Sequence, residues 1–328
     1  MSACLTLRRR ALLGAGGGAL LGLGSARGQD GYPGQRPVSL VIPYAAGGIP
    51  DVFGNAIVRG LTERLGGTFV MDHKPGASTT LGARLVARAR PDGYTLVFAG
   101  NGTFSITPFV LRNAGYDPAE DFTWLGMTGS AMYLFVAHPR WESLQALLIA
   151  AHRRPGEISY ATWGVGSSAH LGTFDLARRA GVDLVHVPYN GTAAALTDVS
   201  TGRVDFMLST LAPAKPHMEA GRVRALGVAM PARYRLLPEV PTVAEQGFPG
   251  YDVPNWTAVA GPAGLPASVA TKLEGALAAT FADEQVMARL EPLGITPAPT
   301  GAQALRETVA RDLAANGDLV RRAGIAPE

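Results

Sequence analysis

Cysteine is almost absent from this chain of 328 residues, whose single thiol is Cys4. One cysteine excludes an intramolecular disulfide, and its position leaves the rest of the chain without a thiol nucleophile or a cysteine metal ligand. Charged residues are also few, at 17%, and they form no long blocks. With 47% hydrophobic residues, this composition indicates a globular protein with a substantial core and excludes long disordered tails. The length favours about two domains.

Catalytic patterns are missing as well. The sequence contains no G-x-S-x-G nucleophile elbow. Its six histidines, at positions 73, 138, 152, 170, 186 and 217, have no close helical spacing of the kind that forms a zinc pair. We therefore expect neither a metal nor a cofactor, and no enzymatic activity.

The N-terminal segment has the layout of a secretory signal peptide. Arginines at positions 8–10 precede an uncharged apolar stretch at 11–23, and small residues flank Arg27. The stretch is shorter than the about 20 residues that span a bilayer. The paired arginines fit a twin-arginine signal, and an ordinary basic Sec signal remains the alternative. We expect cleavage after residue 28 and a periplasmic mature protein.

Removal of residues 1–28 changes the charge of the protein. This segment contains four arginines and no acidic residue, so the formal net charge falls from +3 to −1. The basic isoelectric point of the full chain is therefore no sign of nucleic-acid binding.

The mature chain alternates predicted strands and helices, as in α/β proteins with largely parallel sheets. Two βαβαβ units are predicted. The first consists of residues 38–44, 51–65, 68–72, a helix ending near 90, and 95–99; the second consists of 159–163, 169–180, 184–187, 192–201 and 204–209.

Two apolar segments, 124–137 and 224–230, connect these units in the predicted arrangement. The C-terminal region is predicted to be mainly helical, with a capping box at 242–245. We expect domain 1 to comprise residues 29–128 and 229–328, and domain 2 to comprise 129–228.

Two glycine-containing loops join a strand to a helix. In the first, Tyr44 and Ala46 precede Gly47 and Gly48, so exposed N–H groups and the helix dipole favour an anion such as a carboxylate. A tight turn that requires positive φ is the alternative interpretation. Asp51 follows in the first helical turn, where the dipole favours a carboxylate.

The second loop contains Gly166, Ser167 and Ser168, and it formally fits the G-x-G-x-x-A dinucleotide pattern. The acid that binds ribose is missing, because the next strand ends in Pro-Tyr-Asn and Asp183 precedes that strand. A second site for a small anion is the better interpretation. Asn101, after the third strand, is a further candidate donor, with a plain turn as the alternative.

Ser168 and His170 are the only candidates for a nucleophile and its base. A serine two residues before a histidine at a helix start favours capping or ligand binding over a catalytic dyad.

Many short motifs occur in a characteristic order. The N-terminal half carries Arg-Pro at 36–37, Val-Ile-Pro-Tyr at 41–44, Lys-Pro-Gly at 74–76, Pro-Asp-Gly-Tyr-Thr-Leu at 91–96 and Tyr-Asp-Pro at 116–118. The C-terminal half carries Gly-Ser-Ser at 166–168, His-Leu at 170–171, His-Val-Pro-Tyr at 186–189, Pro-His at 216–217 and Pro-Thr-Val-Ala-Glu at 241–245. From about residue 32 to its end, the chain resembles the Bug family, the substrate-binding proteins of tripartite tricarboxylate transporters.

The resemblance implies a type II periplasmic-binding-protein fold, with two α/β lobes joined by two connecting segments. It also implies that the loops at 47–48 and 166–168 hold carboxylates from opposite lobes, through backbone amides and ordered water. Tyr189 belongs to the same expected site. The implied partners are a small carboxylate and a membrane permease, and we expect the protein to act as a monomer.

Several residues depart from the family pattern. Trp163 and Val165 replace small or polar residues of the second loop, and Ser209 stands where the family often has an aspartate. Residues 77–80 replace a glycine-rich run. These changes predict a more apolar pocket, and hence an aromatic or apolar monocarboxylate rather than an amino acid or citrate. Two other functions remain open: an exported hydrolase on the same scaffold, and a ligand sensor for a signalling partner.

Overall fold

The computed structural model describes residues 31–44, 46, 49–189 and 191–327. The predicted signal peptide lies outside the described residues, as do Gly47 and Gly48. All elements below belong to the unit that starts at Tyr32.

Eleven strands occur in the described residues: β1 Val38–Ile42, β2 Phe69–His73, β3 Thr95–Gly100, β4 Phe122–Ala131, β5 Tyr133–Ala137, β6 Ser159–Thr162, β7 Val185–Pro188, β8 Phe206–Thr210, β9 Arg224–Val228, β10 Trp256–Pro262 and β11 Ile295–Thr300. The α-helices of the same residues are α1 Ile49–Leu65, α2 Thr80–Ala87, α3 Thr107–Val110, α4 Leu144–Arg153, α5 Ser168–Ala180, α6 Thr192–Ser200, α7 Leu211–Glu219, α8 Ala267–Phe281, α9 Glu284–Leu290 and α10 Ala302–Arg322.

The strands form two separate sheets. The first has the order β11-β4-β10-β3-β1-β2, and the second has the order β7-β6-β8-β5-β9. β1 is parallel to β2 and β3, and β6 is parallel to β7 and β8, whereas β10 and β5 run antiparallel to their neighbours. We call the first sheet with α1–α3 and α8–α10 the first lobe, and the second sheet with α4–α7 the second lobe.

Both faces of each sheet are buried, because helices cover them. Leu40 and Phe98 point into one core of the first lobe, whereas their neighbours Val41 and Val97 point into the other. The second lobe shows the same alternation, since Phe135 lies in one cluster and Leu134 in another. Successive side chains of a strand point to opposite faces, and both faces are buried. The parallel strands therefore appear in the sequence as continuous apolar runs.

The chain passes between the lobes twice. Only Met132 separates β4 of the first lobe from β5 of the second, and residues 229–255 return from β9 to β10. The predicted connection at 124–137 is therefore two strands that belong to different sheets. Residues 224–230 mostly form β9 within the second lobe, so the return comes later than predicted.

Other sequence predictions also needed correction. The C-terminal region contributes β10 and β11 to the first sheet, although it was expected to be mainly helical. The helix expected to reach residue 90 ends at Ala87, and the strand expected to reach Tyr44 ends at Ile42. The capping box is confirmed by reciprocal hydrogen bonds of 2.7 and 3.0 Å between Thr242 and Glu245. The helix that follows it is a single 3₁₀ turn.

Among the described helices, none combines the length and the apolar character needed to cross a bilayer.

Candidate functional site

The carboxyl ends of β1 and β3 lie side by side in the first lobe, because these strands are parallel neighbours. Tyr44 follows β1, and its phenol oxygen accepts a hydrogen bond of 3.1 Å from the Gly100 backbone N–H. The same oxygen lies 3.3 Å from Thr103 Oγ1, which lies 2.8 Å from Thr79 Oγ1. These contacts connect the segment after β1, the segment after β3 and the segment at 77–79 within the first lobe.

The donor and acceptor at each step of this hydroxyl chain are assigned from its Thr79 end. Thr79 donates to the carbonyl of Ser78, so its oxygen accepts from Thr103. Thr103 in turn accepts from Tyr44, whose own oxygen accepts from the backbone. Each hydroxyl proton of Tyr44, Thr103 and Thr79 is therefore donated within this chain of hydrogen bonds. Burial raises the pKa of Tyr44.

His73 connects both sides of the 44–48 loop. Its Nδ1 lies 3.1 Å from the Tyr44 carbonyl oxygen, and its Nε2 lies 3.5 Å from Asp51 Oδ1 in the first turn of α1. Ala46 between them is exposed. The structure thus places the His73 ring beside the Asp51 carboxylate, at the helix end where the dipole also favours a carboxylate.

Residues 77–79 have an unusual backbone. Ala77, Ser78 and Thr79 have φ angles of 46°, 51° and 74°. Positive φ is costly for side chains with a Cβ and most costly for a β-branched residue. Strain of this kind is concentrated at functional sites, where the surrounding structure holds it in place.

Asn101 is 4% exposed, and its Nδ2 donates a 2.8 Å hydrogen bond to the carbonyl of Pro254. Pro254 belongs to the returning segment at 229–255. Asn101 therefore links the first lobe to this segment with at least one of its donors.

In the second lobe, the loop at 163–168, which we call the serine loop, joins β6 to α5. Ser167 caps α5: its Oγ accepts from the His170 N–H at 3.2 Å and donates to the Gly164 carbonyl at 2.7 Å. The Gly166 N–H donates to His170 Nδ1 at 3.1 Å. Ser168 and Ala169 begin the helix, where α-helix geometry leaves backbone N–H groups without an intrahelical acceptor.

An aromatic wall adjoins the serine loop. The ring of Trp163 stacks on Tyr133, with centroids 5.8 Å apart. Burial raises the pKa of Tyr133, a hydrogen bond with Ser168 opposes the rise, and the nearby Tyr44 adds to it. Tyr133 thus interacts with the serine loop and with the first lobe.

His170 also stacks on His186, with ring centroids 3.9 Å apart and planes 12° apart. Burial and the neighbouring His186 lower the pKa of His170 to about 4. Because its Nδ1 accepts from the Gly166 N–H, His170 is not placed as the base of a Ser168 nucleophile. The geometry therefore disfavours the hydrolase alternative.

Tyr189 and Ser209 have partners within the second lobe. The Tyr189 hydroxyl donates to Asp198 Oδ2 at 2.7 Å, and the fully buried Ser209 donates to the Thr210 carbonyl at 3.1 Å. Neither contact brings the side chain to the first lobe.

The two lobes meet next to the serine loop. A methyl group placed on Gly166 would lie 2.6 Å from Val110 Cγ1 of α3. Leu171 of α5 is buried in one cluster with Ile106, Val110 and Val320, all from the first lobe. The serine loop therefore lies where the lobes meet, with Tyr44 close to the neighbouring Tyr133, and we call this region the interlobe cleft.

Thr103, like Asn101, follows the third strand, and the sequence already offers it as a possible hydroxyl donor. Sequence reasoning missed Tyr133 and Val110. Tyr133 had one available signal, its position at the start of the strand that follows the crossing between the lobes. Val110 has ordinary sequence surroundings, and only the packed structure brings it to the serine loop.

Two surface cavities lie away from this cleft. One, of about 450 Å³, lies between α1 and α9, and the other, of about 500 Å³, lies beside α4. We identify the site from the two strand-to-helix loops and the contact between the lobes rather than from cavity size. Within the described residues, no three histidine, cysteine or carboxylate side chains converge as they would around a metal ion.

Comparison with known proteins agrees with this architecture. Residues 54–325 match the family described as the tripartite tricarboxylate transporter family receptor. The chain belongs to this receptor family. Its members are solute-binding proteins, so the expectation that the protein is not an enzyme is confirmed.

Solved structures of similar proteins confirm the two-lobed periplasmic-binding-protein fold. A Rhodopseudomonas palustris protein, Rpa4515 with adipate, is 33% identical with a TM-score of 0.82, covering 90% of this chain and 100% of its own. The periplasmic binding protein BugD is 31% identical with a TM-score of 0.79, covering 90% and 99%. MatC of Rhodopseudomonas palustris, with bound malate, is 29% identical with a TM-score of 0.76, covering 87% and 99%.

Proposed function

We propose that this receptor captures a small carboxylate in the periplasm and delivers it to the membrane permease of a tripartite tricarboxylate-type transporter. The observation that carries the proposal is a strand-to-helix loop in each lobe, after β1 and after β6, with the second loop lying at the contact between the lobes. Each loop precedes a helix N-terminus, where backbone N–H groups and the helix dipole favour an anion. The adipate and malate in similar proteins support a carboxylate as the ligand.

In this proposal the first lobe contributes Tyr44, Ala46, Gly47 and Gly48, and the second contributes Gly166, Ser167 and Ser168. Binding through backbone amides needs no arginine or lysine in the site. Closure of the lobes around the ligand removes water and strengthens these hydrogen bonds.

We further propose an aromatic or apolar monocarboxylate as the ligand. Trp163 and Tyr133 form a stacked aromatic surface beside the serine loop. The protons of Tyr44, Thr103 and Thr79 are used within the hydroxyl chain, so this wall offers no hydroxyl donor to a second carboxylate.

The test is ligand binding by the mature chain, residues 29–328, measured by thermal unfolding and calorimetry. The panel contains benzoate, adipate, malate, citrate and aspartate. A ligand at 100 times its dissociation constant adds about 2.7 kcal/mol of stability, or several degrees in Tm.

Benzoate binding tighter than the other acids, and recovered unchanged, supports both parts of the proposal. Tighter binding of adipate, malate, citrate or aspartate refutes the aromatic ligand but keeps the carboxylate. If none of the five acids raises Tm, the carboxylate function is refuted.

A further inference from the structure

The N-terminus of α5 contains a variant of the capping box. In the usual box, a serine at the N-cap accepts from the third helical N–H, and a Glu or Gln at that third position accepts from a backbone N–H at the cap. Here Ser167 accepts from the N–H of His170, and His170 Nδ1 accepts from the N–H of Gly166. A titratable imidazole therefore takes the place of the carboxylate or amide.

The hydrogen bonds determine the protonation of the imidazole. A backbone N–H can only donate, so Nδ1 of His170 carries no proton while it accepts from Gly166. The proton of a neutral His170 ring then lies on Nε2. Protonation of Nδ1 would place two N–H groups against each other and add a positive charge at a helix N-terminus.

His186 is connected to the serine loop through Thr162. Thr162 Oγ1 lies 2.7 Å from His186 Nε2 and 3.1 Å from the Gly164 carbonyl oxygen. Thr162 also accepts from the Gly164 N–H at 3.2 Å. The chain from His186 through Thr162 thus holds the first half of the serine loop, as His170 holds the second half.

The surroundings of the imidazole pair disfavour a positive charge. The rings of His170 and His186 stack at 3.9 Å, and Tyr160 stacks on His186 at 5.1 Å. Burial is the main cause that lowers the pKa of both histidines, and His186 adds to the effect on His170.

Most carboxylates of the elements packed on α5 are already paired; an exception is Asp252, beside the Tyr251 and Val253 that contact Gly172, and burial raises its pKa. Asp205, immediately before β8, forms an ion pair with Arg140. Asp318 of α10 forms ion pairs with Arg321 and Arg322. The carboxylate of α5 itself, Asp175, binds the two arginines that follow it on the same helix. These pairs are accounted for without an imidazolium.

We propose that His170 is a positioning residue for ligand binding, whose neutral imidazole holds the serine loop so that the first N–H groups of α5 face the cleft. This inference rests on the proposed carboxylate function and goes beyond it, because it assigns the role to a residue that does not touch the ligand. Proton binding to His170 and ligand binding are then antagonistic, and closure on the ligand releases protons in mildly acidic buffer.

A direct ion pair between His170 and the ligand carboxylate is the competing role, and it has the opposite sign. An imidazolium that binds the carboxylate would be stabilised by the ligand, so binding would take up protons. The direction of proton transfer on binding therefore separates the two roles.

The experiment measures binding of benzoate and of adipate by calorimetry at pH 7.5 and 4.5, in buffers of different ionisation enthalpy. His170→Asn keeps an acceptor close to the position of Nδ1 but does not titrate, and His170→Phe keeps a stacked ring without an acceptor. His152→Asn, in an exposed position on α4, is the matched control.

At pH 4.5, near the lowered pKa of His170, we expect wild type and His152→Asn to release more protons on binding than the ionisation of the acid itself accounts for. We expect His170→Asn to bind within roughly threefold of wild type at pH 7.5 and to lose this proton release. His170→Phe is expected to bind about tenfold more weakly, because the Gly166 N–H loses its acceptor. Proton uptake by wild type, or wild-type affinity of His170→Phe, overturns the proposal.

A second measurement needs no ligand. In protein with ¹⁵N-labelled histidine, the ring nitrogen shifts of His170 should report the Nε2–H tautomer from pH 7.5 down to about pH 5. The Nδ1–H tautomer, or protonation at pH 6 or above, refutes the positioning role. If the tautomer is as expected and neither acid binds wild type, the carboxylate function fails while the loop geometry holds.

Discussion

At the scale of single residues, Gly166 is a position where the contact between the two lobes tolerates little change. Its φ of 69° disfavours a side chain, and an added methyl group would lie 2.6 Å from Val110 Cγ1. The residue is therefore required both by the turn of the serine loop and by the approach of the first lobe.

We predict that Gly166→Ala lowers the unfolding free energy by about 1–3 kcal/mol and weakens ligand binding, because the lobes can no longer approach as closely. Gly102→Ala is the control, since its added methyl group would meet open space and its φ is ordinary. Urea unfolding and calorimetry measure both effects. The double variant Gly166→Ala/Val110→Ala should recover part of the affinity. No recovery would show that the lobe contact is not the cause.

The two stacked histidines predict a pH dependence of stability. The pKa of His170 is about 4 in the folded protein and about 6.5 when unfolded, so the unfolded chain binds more protons between these values. The stability contribution is therefore complete above pH 6.5 and is lost as the pH falls towards 4. His186 acts in the same direction.

Urea unfolding of wild type and His170→Asn at pH 7.5, 6 and 5 measures this effect. We expect the loss of stability between pH 7.5 and 5 to be smaller in the variant. An equal loss in both proteins would assign the pH dependence to other groups.

At the scale of elements, α10 depends on a buried carboxylate. Asp312, 6% exposed, accepts a 2.6 Å hydrogen bond from Trp256 Nε1 of β10. Burial raises the pKa of Asp312, and the hydrogen bond from Trp256 opposes the rise. The neighbouring Asp252 also has a raised pKa, mainly from burial and further from Asp312.

We predict that Asp312→Asn stabilises the protein by roughly 1 kcal/mol at pH 7, because the amide keeps an acceptor for Trp256 without burying a charge. The gain should shrink as the pH falls and the wild-type carboxyl becomes protonated. Asp312→Leu, which leaves the indole N–H without an acceptor, should instead destabilise. Denaturant unfolding at pH 7 and 4.5 distinguishes these results, and a loss of stability in Asp312→Asn would contradict the prediction.

Local pattern predicted the parallel elements well and the antiparallel ones poorly. β1, β3, β6 and β8 are apolar runs bounded by turn residues, and their positions agree with the sequence to within two residues at each end. β10 contains two alanines, a glycine and a proline, so only its place between β3 and β4 makes it a strand. Long-range pairing of this kind leaves no local signal.

The candidate site shows the same division. Glycine and serine loops at strand ends are visible in sequence, because turn chemistry is local. The stack of His170 on His186 and the hydroxyl chain from Tyr44 to Thr79 depend on which strands are neighbours. The domain limits and the ligand-contacting role of the twelve predicted site residues stay predictions.

At the scale of the whole molecule, an apolar contact holds the lobes together beside the ligand cleft. Leu171 of the second lobe, 2% exposed, packs with Ile106, Val110 and Val320 of the first lobe. This cluster couples closure of the lobes to the position of α5, which starts at the serine loop.

We predict that Leu171→Ala lowers ligand affinity and increases the radius of gyration, because the cavity weakens the contact between the lobes. Leu144→Ala removes the same atoms from the core of the second lobe alone and serves as the control. Small-angle scattering and calorimetry measure the two quantities, and both variants should lose about 2–4 kcal/mol of stability. An equal change in radius of gyration for both variants would exclude a specific role of the lobe contact.

The order of the strands also has a consequence for how the chain is made. Both sheet neighbours of β4 come from the last quarter of the sequence, since β10 begins at Trp256 and β11 at Ile295. The second lobe takes its sheet entirely from residues 133–228 and needs none of those strands. The lobe that begins first during synthesis is therefore completed last, and until β10 and β11 are made its strand β4 has no neighbour with which to pair.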